Sequence, residues 1–569
     1  MSKKNIILID VDALIPSRTG FGGNIKSISP NLNEIAKQSL YVENVFTMGN
    51  PTEFALPGLF ASSYLLDDGG YRYGISKKEI TFAEVLKENG YSTSAFMTAF
   101  RPKLDGYDRG VDEYFNLIDI QVAEKNLMNT ANWYRAKYKS KDSGINKDEC
   151  ITELVQYYDE YLDDILLYCE NWKKYIKSKV IPQSSIFNNV DYDWVRAETI
   201  QDKLIFNNDR QNYIKKYLEG GELGLTKITK KVNEQRKKKV YTTTADIKVK
   251  IILIFNLIFA WRRSSSFSSA KSVLVFMLDR IRHGRKNHLM RYPSGEYVLE
   301  TFKSWMKNRK DKNHFFSYIK LMDVHEQNFY SHDICNDKKE EINNDENIIL
   351  KQAIQDIKGC KEYKGNILYD CAIRYEDNVI KKLFSFLEEM NVLDDTIVVI
   401  TADHGCQIPN MPIRDNRKHS VSSFYDELYR IPLMFFNKGI AIETYKELVS
   451  SVDINTTILD LVNIKSPMSF KGKSLIDRST KRDYILAENQ GRGPCHLKYK
   501  PIRVCVRTNF LKLVYETSPL YPEKGFIDEL YDLVDDPNEY NNLVNNKLYM
   551  MKTLPLIDIA NNRVSEILG

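Results

Sequence analysis

Two short apolar segments, far apart in the chain, each run directly into acidic residues. The segment Asn5–Ile9 leads into Asp10 and Asp12, and the β-branched segment Thr396–Thr401 leads into Ala402-Asp403-His404-Gly405. Apolar runs of this length are typical of strands buried on both faces. Such strands belong to parallel sheets covered by helices, so these two segments restrict the chain to an α/β fold.

Helical patterns lie between the predicted strands. Pro30 occupies the first position of one predicted helix with Ser29 as its cap, and the helix predicted at 81–89 stops at Gly90. Further strands are predicted at 92–97 and 315–322. This order of strand, helix and strand predicts a mostly parallel sheet between helices.

The amino-acid composition and the pattern of apolar residues change along the chain. Residues 120–300 are rich in Tyr, Asn and Lys and mostly helical in pattern, and we interpret them as a helical insertion. The insertion separates the first part of a catalytic domain, residues 1–119, from its second part, residues 301–440. A smaller C-terminal α+β subdomain is predicted at 441–569.

The insertion contains the basic run Lys227–Lys239 and the apolar stretch Ile251–Trp261. One interpretation is an amphipathic element that lies on a membrane surface. The other is a solvated helix followed by a core helix. The apolar stretch is shorter than the roughly 20 residues that a membrane-spanning helix needs.

The charges of the chain are nearly balanced. Its 569 residues include 81 Lys and Arg and 76 Asp and Glu, a net charge of +5. This balance gives no electrostatic reason to expect nucleic acid as a partner. The eight cysteines have neither the spacing of a zinc site nor that of a disulfide framework, and the N-terminus resembles no export signal. We therefore expect a cytoplasmic protein, with peripheral membrane contact left open.

The acidic residues after the two strands are candidates for a shared site. The carboxyl ends of strands in an open α/β sheet are where such folds bind ligands. Asp403 and His404 offer a carboxylate oxygen and an imidazole nitrogen, both good ligands for a divalent cation. Alternatively, each acidic residue could only cap the turn that follows its strand.

Short motifs outside residues 120–300 follow one another in a characteristic order. They are Asn5-Ile-Ile-Leu-Ile-Asp-Val-Asp-Ala-Leu, Gly106-Tyr-Asp-Arg-Gly-Val-Asp, Met322-Asp-Val-His325, Thr401-Ala-Asp-His-Gly405 and Glu529-Leu-Tyr-Asp-Leu. In this order they resemble the sulfatase family of the alkaline phosphatase superfamily. The resemblance implies an alkaline-phosphatase-like fold and activity on a phosphate or sulfate ester.

The resemblance also implies one divalent metal ion, held by Asp12, Asp403 and His404. Ligation by oxygen atoms and one imidazole is compatible with Ca²⁺, Mg²⁺, Mn²⁺ or Zn²⁺. The implied substrate is an anionic ester, and a glycan or a lipid head group is the expected carrier of that ester.

The family nucleophile is a formylglycine made from Cys or Ser in the motif Cys/Ser-x-Pro-x-Arg. In this chain the matching segment is Pro51–Phe60. Thr52 occupies the nucleophile position, and Phe54 and Leu56 occupy the Pro and Arg positions. This departure resembles the branch of the superfamily that uses an unmodified Thr for phosphoryl chemistry. The structural alternative is that Thr52 only forms a turn before a helix.

Four residues are candidates for contact with the substrate. By resemblance, His325 and His419 would contact its anionic oxygens or its leaving group, and Arg417 and Lys418 would bind it. A His of suitable pKa can protonate a departing alkoxide. The alternative for each His is an ordinary position in a surface loop.

Three functions remain open from the sequence. The first is a metal-dependent hydrolase or transferase that attacks a phosphate or sulfate ester through Thr52. The second is a phosphoglycerol- or phosphoethanolamine-type transferase on an envelope glycan or lipid precursor. The third is a catalytically silent binding module, which the altered nucleophile motif favours and the intact Asp and His residues oppose.

Overall fold

The computed structural model describes most of the chain from residue 3 to residue 569. The segments outside the description are 24–27, 71–73, 99–104, 118–119, 141–144, 178–189, 238–291, 312, 327–366, 407–422, 480, 492–496 and 498–499. The apolar stretch at 251–261 and residues 407–422, which include Arg417, Lys418 and His419, therefore lie outside the described residues.

The described strands form two sheets. The strands are β1 (Asn5–Val11), β2 (Leu40–Phe46), β3 (Ser92–Met97), β4 (Glu113–Asn116), β5 (Phe315–Leu321), β6 (Thr396–Thr401), β7 (Arg430–Phe436), β8 (Glu443–Ser450), β9 (Ile485–Asn489), β10 (Ile502–Arg507), β11 (Leu511–Ser518) and β12 (Tyr521–Asp532). The larger sheet has the order β4-β3-β5-β1-β6-β7-β2-β8, and the smaller one has the order β12-β11-β10-β9.

Helices cover the larger sheet and fill the region after β4. They are α1 (Pro30–Ala36), α2 (Thr52–Ala61), α3 (Phe82–Glu88), α4 (Ile120–Lys139), α5 (Lys147–Lys177), α6 (Tyr192–Asn208), α7 (Arg210–Glu219), α8 (Gly224–Lys237), α9 (Gly295–Asn308), α10 (Asp323–Glu326), α11 (Ile367–Glu389), α12 (Asp426–Tyr429), α13 (Asp453–Leu461), α14 (Lys547–Lys552) and α15 (Leu554–Leu568). Among the described helices, none combines the length and the apolar character needed to cross a membrane.

The middle of the larger sheet is parallel and fully buried. Strand β1 pairs in parallel with β5 on one side and with β6 on the other, and every residue of these three strands is buried. Burial on both faces explains why β1 and β6 read as continuous apolar runs. Strand β7 is antiparallel to both of its neighbours. The expected α/β fold, a mostly parallel sheet between helices, is confirmed.

The parallel register brings three strand ends to one edge of the sheet. Asp10 of β1 lies beside Lys320 of β5 and Thr401 of β6. Because side chains alternate along a strand, Asp12 and Asp403, each two residues further on, continue the same face. The fold therefore delivers the acidic residues of both strand ends to one place.

Aromatic side chains organise the helices of the insertion. Trp172 stacks on Tyr192 with ring centroids 5.3 Å apart, which joins α5 to α6. The Asp202 carboxylate accepts hydrogen bonds from the hydroxyls of Tyr158 and Tyr213. The helices among the described residues between 120 and 237 agree with the pattern of the sequence, while the proposed domain boundaries stay a prediction.

The smaller sheet is antiparallel and packs against the loop that leads to α2. The backbone N–H of Glu488, in β9, donates to the Met48 carbonyl at 2.9 Å, and the Asn489 side chain donates to the Asn50 carbonyl at 3.1 Å. The buried Arg563 of α15 pairs with Glu488, which fixes the last helix to this sheet. The C-terminal part thus supports the segment that begins at Thr52.

The cap of α1 differs from the sequence expectation. Ser29 occupies the N-cap position, but its side chain makes no capping hydrogen bond. Asp377 of α11 instead accepts hydrogen bonds from the backbone N–H groups of Asn31, at 3.2 Å, and Leu32, at 2.7 Å. A capping carboxylate from a distant part of the chain was invisible to local sequence rules, which look only at neighbouring residues.

This arrangement predicts unequal effects of two alanine substitutions. Asp377→Ala leaves two helix N–H groups without an acceptor and should lower the free energy of unfolding by about 1–2 kcal/mol. Ser29→Ala should cost less than about 0.5 kcal/mol. Urea unfolding at pH 8 compares the two variants, and equal losses would contradict the assignment of the cap to Asp377.

Candidate active site

Asp12, Asp403 and His404 converge where β1 and β6 end. One ligand atom from each lies within 4.8 Å of the others, and all three side chains are buried. His404 Nε2 is 3.8 Å from Asp12 Oδ1 and 3.7 Å from Asp403 Oδ2. The sequence prediction that these residues share a site agrees with this geometry.

The orientation of the His404 ring follows from one hydrogen bond. Its Nδ1 lies 2.6 Å from the carbonyl oxygen of Gly405, which can only accept. Nδ1 therefore carries a proton, and in the neutral ring Nε2 presents its lone pair to the acidic cluster. An imidazole held in this way by a backbone carbonyl is arranged as metal-binding histidines are.

Thr52 is the first residue of α2 and is buried beside the cluster. Its Oγ1 is 3.2 Å from Asp12 Oδ2 and 3.0 Å from His404 Nε2. The partial positive charge of a helix N-terminus favours negative charge at this position. Thr52 thus combines a hydroxyl, two proton acceptors and a helix N-terminus.

Besides Thr52, two positions depart from the family motif, and both residues pack in the core. Phe54 is 2% exposed and Leu56 is fully buried. Leu56 packs in the main core, and Phe54 packs in the cluster shared with the smaller sheet. An arginine at Leu56 would place an unpaired charge among apolar side chains, so the altered motif is consistent with the local packing.

Lys320 is the central residue that the sequence analysis missed. Its side chain is fully buried, and its Nζ lies 2.8 Å from Asp10 Oδ2, 3.0 Å from Asp12 Oδ2 and 3.1 Å from Asp403 Oδ2. The sequence signal was a lysine inside the mostly apolar strand predicted at 315–322. A charged residue at the centre of a buried strand needs a partner, and here it has three.

The buried charges shift one another's pKa values. Burial disfavours ionisation of Asp10 and, with Asp403 and Asp12 nearby, outweighs the attraction of Lys320 and raises the pKa of Asp10 to about 7. Burial also acts on Asp403, but the favourable electrostatic interactions with His404 and Lys320 outweigh it and hold the pKa of Asp403 below its ordinary value. One ammonium is thus too little positive charge to keep all three carboxylates readily ionised.

The cluster has the donor atoms and spacing for a divalent cation. Distances of 3.0 to 3.8 Å separate His404 Nε2 from the hydroxyl and carboxylate oxygens around it. Ligands at about 2.1 Å in tetrahedral geometry lie roughly 3.4 Å apart. Asp12 Oδ1 is buried and has no hydrogen-bond partner among the described residues. The residues present therefore fit the metal that the resemblance implies.

Of the four residues predicted to contact the substrate, the structure describes His325. His325 lies in α10, directly after β5, and its ring centroid is 6.4 Å from that of His404. The structure thus brings His325 to the edge of the cluster. Arg417, Lys418 and His419 lie outside the described residues, so their roles stay predictions.

A second group of buried carboxyls includes Asp323, in the same short helix as His325, and Glu376 of α11. Asp323 Oδ2 accepts a hydrogen bond at 2.7 Å from the backbone N–H of Gly295. Glu376 of α11 is 1% exposed, and its burial, together with the charge of Glu296, raises its pKa to about 7. The native state therefore binds the Glu376 proton more tightly than the unfolded chain does.

This shift predicts a pH-dependent effect of Glu376→Gln. The stabilising contribution of the bound proton is complete below the ordinary pKa of 4.5 and is lost as the pH rises through about 7. At pH 8 the variant should be more stable than the wild type by roughly 3 kcal/mol, with little difference at pH 4.5. Urea unfolding at both pH values measures the effect.

Glu389→Gln is the matched control, because this glutamate lies on the same helix and is exposed. It should change stability by less than about 0.5 kcal/mol at either pH. A Glu376→Gln effect of the same size at pH 4.5 and pH 8 would contradict the pKa assignment.

Comparison with known proteins bears on the whole chain. The family described as Sulfatase matches residues 4–464, and the family described as N-sulphoglucosamine sulphohydrolase, C-terminal, matches residues 421–558. The chain belongs to the sulfatase family. The expected family is thereby confirmed, and the matched range includes Asp12, Thr52, Asp403 and His404.

Individual relatives of this sulfatase-family chain are distant. Arylsulfatase K of Canis lupus familiaris is 22% identical over 297 residues, which is 50% of each chain. N-acetylglucosamine-6-O-sulfatase of Bacteroides thetaiotaomicron is 28% identical over 201 residues, 32% of each chain. The chain thus spans half or less of the length of these relatives.

A solved structure supports the fold. The crystal structure of the phosphonate monoester hydrolase of Agrobacterium radiobacter matches with a TM-score of 0.53 and 14% sequence identity, covering 99% of this chain and 96% of that one. At this identity the likeness concerns the fold alone.

Proposed function

We propose that this chain is a divalent-metal-dependent ester hydrolase in which the Thr52 hydroxyl attacks the phosphorus or sulfur atom of an anionic ester. The observation that carries the proposal is the position of Thr52 Oγ1, 3.2 Å from Asp12 and 3.0 Å from His404. Family membership supports ester hydrolysis, and the buried donor set supports the metal. Asp12, Asp403 and His404 would hold the ion.

A bound divalent ion would supply the Lewis acidity that lowers the pKa of a hydroxyl and neutralises a non-bridging oxygen of the ester. The protein itself positions the attacking hydroxyl and a group that can accept its proton. Thr52 lies at the N-terminus of α2, where the helix dipole favours the negative charge that develops as its proton leaves. Asp12 Oδ2 lies within hydrogen-bond distance and can accept that proton.

The reaction then has two displacement steps. Thr52 Oγ1 forms a bond to the phosphorus or sulfur atom while the bond to the leaving alcohol breaks, and His325 is the candidate that gives the alcohol its proton. Water next gives a proton to His325 and attacks the phosphorus or sulfur atom, the bond to Thr52 Oγ1 breaks, and Thr52 recovers its proton from Asp12 as inorganic phosphate or sulfate leaves. The 6.4 Å between the His325 and His404 rings supports this role, since it leaves His325 at the border of the cluster.

For the substrate we propose an anionic ester on a sugar. A relative is named N-acetylglucosamine-6-O-sulfatase, which supports a glycan carrier. The residue at the nucleophile position favours phosphate over sulfate, because a threonine alkoxide lacks the second hydroxyl with which a formylglycine hydrate expels sulfate. The same attack with a sugar hydroxyl in place of water would give transfer instead of hydrolysis.

Substitution of Thr52 tests the nucleophile. Thr52→Ala removes the attacking atom and should lower kcat on aryl phosphate by at least about 1000-fold. Thr52→Ser keeps the hydroxyl and loses only the methyl that restricts its rotamer, so it should retain part of the activity. Aryl sulfate should be turned over more slowly than aryl phosphate by the wild type.

The control for this series is Thr47→Ser, which changes a buried threonine whose Oγ1 contacts the Gly49 carbonyl, before α2. It should leave kcat within about threefold of the wild type. Full activity in Thr52→Ala would show that another group is the nucleophile.

Asp403→Asn tests the metal site. The amide keeps the size of the side chain but removes a negative charge, so the protein should lose at least about tenfold in affinity for Mn²⁺ or Zn²⁺. Asp394→Asn is the control, since Asp394 is exposed and pairs with Lys438 outside the cluster. Titration calorimetry on metal-free protein measures both, and unchanged affinity in Asp403→Asn would contradict the ligand assignment.

A further inference from the structure

The ammonium of Lys320 lies among the carboxylates that the proposed metal would share. It contacts one oxygen of Asp12 and one of Asp403 at 3.0 and 3.1 Å, and it contacts Asp10 at 2.8 Å. The side chain has no exposure to solvent, so water does not screen these interactions. A fixed positive charge at this distance acts directly on whatever cation enters the cluster.

Asp10 differs from the two carboxylates beside it. It does not join the group of ligand atoms that lie within 4.8 Å of one another. Its Oδ2 accepts hydrogen bonds from the Tyr318 hydroxyl at 2.5 Å and from Lys320 at 2.8 Å. Asp10 therefore pairs with Lys320, its register partner on the neighbouring strand. Asp12 and Asp403 are the two carboxylates that face His404.

The formal charges of the cluster show what the Asp10–Lys320 pair contributes. With all three carboxylates ionised and the His404 ring neutral, Asp10, Asp12 and Asp403 contribute −3 and Lys320 contributes +1, which leaves −2, the charge that one divalent cation balances. Without Lys320 the sum is −3, and without Asp10 it is −1. The Asp10–Lys320 pair thus keeps the cluster matched to a divalent ion while holding it together before the ion binds.

We propose that Lys320, with Asp10 as its counter-charge, is a positioning residue that acts as a built-in cation: it holds Asp12 and Asp403 together in the metal-free protein and limits how tightly the site retains its divalent ion. This inference rests on the proposed function for the metal itself. The inference goes beyond the proposed function, because it predicts that the site is already formed before the ion binds and that the bound ion can exchange.

Two consequences separate this role from ordinary packing. Loss of the ammonium alone should weaken the metal-free protein, because three buried carboxylates then repel one another. The same loss should tighten metal binding, because the entering ion no longer meets a positive charge. A residue that merely filled space would lower stability without improving the affinity for metal.

A cycle of charge variants tests the proposal on the full-length protein. Lys320→Met keeps an unbranched side chain of nearly the same length without its charge, Asp10→Asn removes the counter-charge, and the double variant removes both. Lys320→Arg is the control that keeps the positive charge. The melting temperature of each metal-free protein and its affinity for Mn²⁺, measured by titration calorimetry, are the readouts.

We expect Lys320→Met to bind Mn²⁺ at least about tenfold more tightly and Asp10→Asn at least about tenfold more weakly than the wild type. The double variant should return to within about threefold, since its net charge equals that of the wild type. Metal-free Lys320→Met should melt at a lower temperature than the double variant and recover when Mn²⁺ is added.

Mn²⁺ affinity that is unchanged or weaker in Lys320→Met would overturn the proposal. If Lys320→Met fails to fold while the double variant folds, the charge-balance role is supported. Failure of both while Lys320→Arg folds would overturn it. If the wild type takes up no divalent ion, the proposed function fails, whereas the melting temperatures of the metal-free cycle still decide whether Lys320 holds the carboxylates.

Discussion

The contact of one buried ammonium with three carboxylates is the interaction on which the active-site region depends. Lys320 joins the ends of β1, β5 and β6 through Asp10, Asp12 and Asp403, all within 2.8 to 3.1 Å. Carboxylates this close and this buried would repel one another strongly without it. The parallel register of the three strands places these groups together, so the fold and the charge arrangement require each other.

The other parts of the site are arranged around this cluster. The ring of His404 is fixed by the Gly405 carbonyl, and Thr52 reaches the cluster from the first turn of α2. The smaller sheet supports the loop before α2 through Asn489 and the Asn50 carbonyl. A change in the C-terminal part of the chain can therefore displace the candidate nucleophile, although no residue of that sheet belongs to the acidic cluster as described.

The sequence predicted what depends on local pattern and missed what depends on pairing across the fold. Apolar runs that end in acidic residues predicted β1, β6 and the convergence of Asp12 with Asp403, because strand ends of a parallel sheet share an edge. The role of Lys320 was missed because its partners belong to two other strands. Ser29 was expected to cap α1, yet the cap comes from Asp377, far along the chain. The family motif predicted a special role for Thr52, but only the structure gave its distances to Asp12 and His404.

The central claim is that Thr52 is the attacking group, and covalent trapping tests it most directly. The protein is incubated with a slow aryl phosphate ester, quenched in acid and digested, and the peptides are measured by mass spectrometry. We predict unmodified Thr52 in the resting protein and, after trapping, the mass of one phosphoryl group on the peptide that contains Thr52. A phosphoryl group on a different residue, or turnover of the ester with no adduct at any quench time, would contradict the claim.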